Sequence, residues 1–322
     1  MTTESFAAWS VFSLPNLSNP FGAVAIDHLS DGRAVFAESG NFHAQTAWDM
    51  PGFSPYTGNP QTGLDPSFIA FFNDTTGVAG EGTFGASDLQ TFNPSMVGAP
   101  GFANIGVSLQ NYHGVFRDAS SLFVGGADTG AGNDRHGIRY VTLDGSTNVI
   151  VIDDVSQFST GFDIDGAGNL YVGDNDDGSV YRFTASQLNG AITSGVPLTV
   201  GDGTFIHDFG DGGNIGTLAV DGTGRIWGAG FLQNGVKVFN PAISQEFSFI
   251  PLQTNANYYV SAFSRGGEDY ISFINQEDPF SGNSAQFYGF DLAANHAVPE
   301  PQTFGLLGLA GLILFLRRKK SH

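Results

Sequence analysis

Gly161-Phe-Asp-Ile-Asp-Gly-Ala-Gly-Asn-Leu-Tyr-Val172 and Gly216-Thr-Leu-Ala-Val-Asp-Gly-Thr-Gly-Arg-Ile-Trp227 align almost residue for residue. A short polar gap follows each, and then a second apolar stretch, Ser179-Val-Tyr-Arg-Phe183 in one copy and Gly235-Val-Lys-Val-Phe239 in the other. Each unit reads strand, Asp-Gly turn, strand, loop, strand. The pairs Asp165-Gly166 and Asp221-Gly222 suit hairpin turns that need positive φ, and the flanking apolar and aromatic residues suit buried strands.

Weaker copies extend the pattern: Gly114–Val124 with Gly137–Val141, then Tyr259–Phe263 with Tyr270–Phe273 and Phe287–Phe290. Nearer the start, Ala23–Asp27 with Ala34–Ala37 and Ser67–Phe71 with Gly77–Ala79 read as degenerate copies. Second strands at Leu122, Leu170, Ile226 and Ile271 are spaced by 48, 56 and 45 residues. A four-stranded propeller blade takes about 40 to 50 residues, so the body predicts an all-β propeller of about six four-stranded blades. A β-helix would repeat at a much shorter period, and a sandwich leaves the repeated Asp-Gly hairpin unexplained. The run Ile164 to Val172 resembles the blade core of the NHL and gluconolactonase-like propellers. That resemblance implies, for an enzyme, a divalent metal held by Glu, Asn and Asp at the channel mouth. Outside the two best blades nothing aligns well enough to transfer those ligands.

At the other end of the chain, Val298-Pro299-Glu300-Pro301 precedes an apolar run from Phe304 to Leu316 and the basic cluster Arg317, Arg318, Lys319 and Lys320. Thirteen residues rise only about 20 Å as a helix, short of the roughly 30 Å of a bilayer core, so the run makes a marginal anchor. The positive-inside rule holds the basic cluster in the cytoplasm and leaves the body translocated. The three parts in order resemble the PEP-CTERM sorting signal of Gram-negative bacteria. The resemblance implies recognition and cleavage by exosortase, transient passage through the inner membrane by 304–316, and release to the cell surface or exopolysaccharide matrix. The chain thus divides into an N-terminal segment (1–20), a propeller (21–295) and a sorting segment with its short apolar helix (296–322).

Met1-Thr-Thr-Glu4 has an acid where a secretory leader has a base, and Val11–Pro15 is too short for an apolar core, so no signal peptide is recognisable. A start site placed too far downstream reconciles this with an export tail; a cytoplasmic scaffold is the other reading. Composition narrows the partners. Forty-five glycines and 13% charged residues indicate many turns, and 30 Phe supply a core. A net charge of −19 argues against nucleic acid, whose binding depends on Lys and Arg. Without cysteine there are no disulfides, thiolate metal sites or Cys nucleophiles.

Candidate chemistry starts with acids: Asp163, Asp165, Asp174, Asp176 and Asp177, followed by Asp202, Asp208 and Asp211. Hard oxygen ligands suit Ca²⁺ or another divalent metal, with Asp174, Asp176 and Asp177 as the metal candidates. The loop fails the EF-hand spacing, with Gly178 at position five and Ala185 at twelve. Asp165 and Asp221 are explained by turns. His207 beside Asp208 is the leading general-base candidate and His113 the second. Trp48 and Tyr56, in a Pro- and Gly-rich stretch from 45 to 63 that reads as a surface loop, are candidates for stacking on sugar rings; the other aromatics read as core. Ala86–Gln90 and Ala185–Asn189 could each form a helical turn or two, the second with Thr184 as cap. Two functions follow: a binding or structural module, and alternatively a metal-dependent lactonase-type hydrolase on the same propeller.

Overall fold

The computed structural model describes residues 9–14, 25–38, 41–56, 67–80, 87–127, 136–155, 161–174, 177–210, 216–230, 235–249, 256–276 and 285–296. Strand β1 (Ser10–Ser13) opens the chain. Blade 1 is β2 (Ala25–His28), β3 (Ala34–Glu38), β4 (Asn41–Gln45) and β5 (Phe53–Pro55), antiparallel and in sequence order from the channel outward. Blade 2 repeats the order with β6 (Phe68–Asn73), β7 (Thr76–Gly80), β8 (Ser87–Phe92) and β9 (Ala103–Leu109). Blade 3 is β10 (His113–Asp118), β11 (Ser121–Ala127), β12 (His136–Thr142) and β13 (Asn148–Val155). Blade 4 is β14 (Phe162–Ile164), β15 (Leu170–Gly173), β16 (Ser179–Phe183) and, beyond helix α1 (Ala185–Ser194) and β17 (Leu198–Thr199), β18 (Thr204–Asp208). Strand β17 adds in parallel to the outer edge of blade 3. Blade 5 is β19 (Thr217–Val220), β20 (Ile226–Ala229), β21 (Val236–Asn240) and β22 (Gln245–Phe249). Blade 6 is β23 (Ala256–Arg265), β24 (Glu268–Gln276) and β25 (Gln286–Leu292), and its fourth strand is β1.

Six blades of four strands are what the spacing predicts; the fifth strand of blade 3, β17, is an addition to that pattern. The closure corrects the boundary at residue 21: Ser10–Ser13 pair with Phe290–Phe287, so strands of the ring begin at Ser10. This clasp joins the two ends of the body, and Trp9 reinforces it by stacking on His296 at 4.7 Å and meeting Phe273 edge-on at 5.0 Å.

Alternation along each strand sends apolar residues to both faces of every blade, and six clusters fill the six inter-blade gaps. Blade 4 shows the logic. Phe162, Leu170 and Val172 face blade 3, while Tyr171 and Val180 face blade 5. Phe162 fits because Gly125 opposes it; a Cβ there would lie 2.6 Å from the ring.

Local chemistry overrides three expectations. The Asp-Gly hairpins turn on the second glycine: Gly168 (φ 80°) and Gly224 (φ 81°) are left-handed, not Gly166 or Gly222. Asp165 instead accepts from the backbone N–H of Ala167 and Asn169, and Asp221 from those of Thr223 and Arg225. The carboxylate thus takes up the turn's N–H groups while the glycine three residues on supplies the bend, as in a type I turn with a G1 bulge. The stretch 86–90 is not helical; from Ser87 it forms β8, because Leu89, Gln90 and Phe92 are buried in the blade. The stretch 45–63 is a loop only in part, since Phe53–Pro55 pairs with β4 and residues 57–66 lie outside the described residues. Helix α1 is found where Thr184 predicts it, with a capping box to Gln187, and runs on to Ser194 because Leu188 and Ala191 pack on β13.

Candidate functional site

Because the first strand of each blade lines the channel, every second residue of β2, β6, β10, β14, β19 and β23 points toward the axis or the next blade. All six blades contribute to a cavity of about 180 Å³ in the channel, with Asp27, Ala70, Val115, Asp163, Ala219 and Ser261 at equivalent positions among its lining residues. The two acids sit in blades 1 and 4, three blades apart in a ring of six and so on opposite sides.

Both carboxylates are engaged in the same way. Asp27 Oδ1 accepts the N–H of His28 at 2.7 Å, and its Oδ2 accepts that of Phe71 in blade 2 at 2.6 Å. Asp163 Oδ1 accepts from Ile164 at 2.8 Å, and its Oδ2 from Val220 in blade 5 at 2.7 Å. Each acid therefore staples its blade to the next one. Burial pushes both carboxyls up to about 7, against the opposing pull of these N–H donors, and the negative charge of Asp163 adds to the rise at Asp27.

His113 and Tyr259 also line this cavity, again from blades three apart. His113 Nε2 lies 3.0 Å from the carbonyl oxygen of Phe162, which can only accept, so Nε2 carries the proton. Nδ1 is then free to accept the Tyr259 hydroxyl at 3.1 Å. Burial lowers the His113 pKa to about 4 and raises that of Tyr259 far above its ordinary value, with Asp27 and Asp163 adding to the latter. A neutral imidazole and a protonated phenol thus bridge the channel.

Of the residues singled out in the sequence, Asp163 and His113 belong to this site. Asp27 and Tyr259 were missed as site residues. Asp27 lay in a degenerate copy, and only its position two residues before the hairpin, matching that of Asp163, marks it. His207 is on the outer strand of blade 4; its Nε2 contacts Glu246 Oε2 at 2.7 Å and its ring stacks on Phe239 at 3.9 Å. Its neighbour Asp208 turns to the N–H of Gly210 instead. Asp174 and Asp177 frame a turn in which Asp177 accepts from Ser179, and Asp176 lies outside the described residues. Asp202 caps Thr199 and Asp211 lies outside the described residues. Tyr56 is buried, donating to the carbonyl of Pro94, and Trp48 is half-covered by Arg265, which stacks over it at 4.5 Å.

A divalent metal of the kind the lactonase-like resemblance implies needs several converging oxygen ligands. Among the described residues no three His, Asp or Glu side chains converge on one point, and both channel acids give both oxygens to backbone N–H groups. The described residues do not fit such a metal.

Residues 297–320 match the PEP-CTERM protein-sorting motif. The motif marks an exported chain that passes through the membrane and is sorted toward the cell surface, with processing by exosortase. Val298–Pro301, the run 304–316 and Arg317–Lys320 lie outside the described residues; among those described, no helix is long and apolar enough to cross a membrane. No curated protein matches by sequence. The body is similar in structure to a luciferin-regenerating enzyme (13% identity, 89% of this chain and 96% of that one, TM-score 0.60). It is also similar to regucalcin, a calcium-binding protein from Agrobacterium tumefaciens (13% identity, 89% and 94%, TM-score 0.58). A candidate gluconolactonase gives 15% identity over 89% and 93% of the two chains, with a TM-score of 0.59. At these identities the likeness is one of fold.

Proposed function

We propose that this protein is a non-catalytic binding or structural module, displayed at the surface or in the exopolysaccharide matrix of a Gram-negative bacterium after exosortase acts on its C-terminus. The observation that carries the reading is the sorting motif at 297–320, which starts directly after the last turn of the propeller. The channel supports the non-catalytic half. Its acids are tied to backbone N–H groups and its histidine to Tyr259, which leaves Asp27, Asp163, His113 and Tyr259 committed to the fold. Intact mass of the protein recovered from host cells and medium tests the sorting. A product ending near Pro299–Pro301 outside the cell supports it; an uncleaved chain inside the cell removes it. Co-sedimentation of the processed body with the host's own exopolysaccharide then tests binding.

The lactonase reading draws on the fold it shares with regucalcin and the candidate gluconolactonase. Calcium-dependent hydrolysis of an aldonolactone by the processed body would favour it over the module. Equal rates with calcium and with chelator, both at the uncatalysed level, would remove it.

A further inference from the structure

Antiparallel strands place the first-to-second and third-to-fourth connections of every blade at one end of the propeller. Strand β25 is the third of blade 6 and runs to that same end, where Leu292 pairs with Tyr270 beside the β23–β24 hairpin. The body therefore hands over to its sorting segment at this end, through the turn Ala293–His296.

The third-to-fourth connections of blades 1, 2, 4 and 5 carry exposed apolar side chains, while that of blade 3 does not. Met50 stands between β4 and β5 with 57% of its surface exposed, Met96 between β8 and β9 with 50%, and Ile243 between β21 and β22 with 47%. Val196, after α1 in the corresponding connection of blade 4, is exposed to 66%. Phe72, also exposed, ends the inner strand of blade 2 at the same end. In blade 6 the equivalent position is the exit to the sorting segment itself. An apolar rim and the route to the apolar run at 304–316 thus share one face.

The tether is short. Eight residue steps from His296 to Phe304 span at most about 29 Å even when fully extended. Because the tail leaves the body at this end, a tether of that length holds this end, and not the opposite one, nearest the plane in which the run inserts.

We propose that, while the tail is intact, this end of the propeller rests on the outer leaflet of the membrane, with Met50, Met96, Val196 and Ile243 at the headgroup boundary. The partner is a lipid surface of low net charge. Asp31, Asp49, Asp74 and Asp144 occupy turns at the same end, and 31 acidic residues in the chain would repel an anionic one. The channel mouth at the other end then faces outward. This docking rests on the reading that the run 304–316 enters the membrane.

The absence of cysteine makes the test direct. Single variants Met50→Cys, Met96→Cys and Ile243→Cys, with Asp177→Cys at the opposite end as reference, are made in the full chain. Each is fluorescently labelled and mixed with phosphatidylcholine vesicles carrying a headgroup nitroxide. The expected result is flotation with the vesicles and quenching at the three rim positions at least about twofold stronger than at Asp177. Flotation with equal quenching at both ends, or stronger quenching at Asp177, overturns the docking and leaves membrane entry intact. A full chain that does not float overturns membrane entry and the docking with it.

Discussion

The hydroxyl of Tyr259 donates to Nδ1 of His113 at 3.1 Å, although 146 residues separate them. The two come from blades 6 and 3, opposite each other in the ring, so their bond is a strut across the channel. It forms only when all six blades are in place, because a missing or splayed blade would change the channel width by more than a hydrogen bond tolerates. The strut reports ring closure at the axis as the β1–β25 pairing does at the rim.

Replacing Tyr259 with Phe keeps the ring and removes the donor. Nδ1 of His113 is then a buried acceptor with no partner, a condition that costs about 1 to 3 kcal/mol. Urea unfolding of the body should show that loss at an unchanged slope. A variant as stable as the parent would mean that water replaces the hydroxyl and that the strut carries no weight.

Titration of the channel separates two opposing effects. Asp27 and Asp163 have pKa values raised to about 7 in the folded state, so the native protein holds protons that the unfolded chain releases near 3.8. Their contribution to stability is full below about 4 and is lost as pH rises through 7. His113 has the opposite sign. Its pKa falls to about 4, so its contribution is present above 6.5 and is lost as pH falls toward 4; His28, lowered to about 3, behaves alike. The net stability profile between pH 4 and 7 should therefore be flatter than either pair alone would give. Carboxyl carbon NMR resolves the acids directly: two aspartates should titrate near neutrality, and one of these signals should vanish in Asp163→Asn. Aspartates that all titrate below pH 5 would show the channel wetter than its burial implies.

Periodicity made the fold legible because the strand, hairpin, strand unit recurs where it packs against copies of itself. Leu122, Leu170, Ile226 and Ile271 all fall on second strands as their spacing predicts. The clasp was not legible, since Ser10–Ser13 is one strand without its hairpin and nothing local ties it to Phe287–Phe290. The site was half legible. Asp163 stood out in the best copy, and Asp27 holds the matching position in a copy whose hairpin begins with Leu29 where the two best copies have Asp165 and Asp221. Tyr259 and His113 are joined only by the closed ring, a relation that no sequence spacing encodes. His207 drew notice through its neighbour Asp208, yet adjacent residues of a strand point to opposite faces, and its partner Glu246 comes from the next blade.

The hairpins make a sharp contrast between two glycines two residues apart. Gly166 and Gly168 both have room for a methyl group, the second with Ala185 Cβ 3.5 Å from the added atom. Only Gly168 has positive φ. Gly166→Ala should be neutral or stabilising by about 0.4 to 1 kcal/mol, because it restricts the unfolded chain alone. Gly168→Ala should cost about 1 to 2 kcal/mol through its left-handed backbone. Thermal unfolding of the two variants checks the turn assignment, and equal effects would contradict it.

Ring closure at the N-terminus gives the largest expected effect. Removing residues 1–14 strips the fourth strand from blade 6, bares the edge of β25, and takes away Phe12, which packs near Tyr288 and Phe290. An uncovered edge strand favours association, so the truncated body should melt early and aggregate. Trp9→Ala is milder: it keeps the strand but loses the stack on His296 and the edge contact with Phe273, a cost of about 2 to 3 kcal/mol for a half-buried indole. For a body of this size that lowers the melting temperature by several degrees. A synthetic peptide spanning residues 8–14, added to the truncated body, should restore the monomer and its melting temperature in proportion to its concentration. If truncation leaves the melt unchanged, β1 does not close the ring, and the last turn Ala293–His296 is held without Trp9, by Asp291, Phe249 and Trp227 around His296 and by the burial of Ala293.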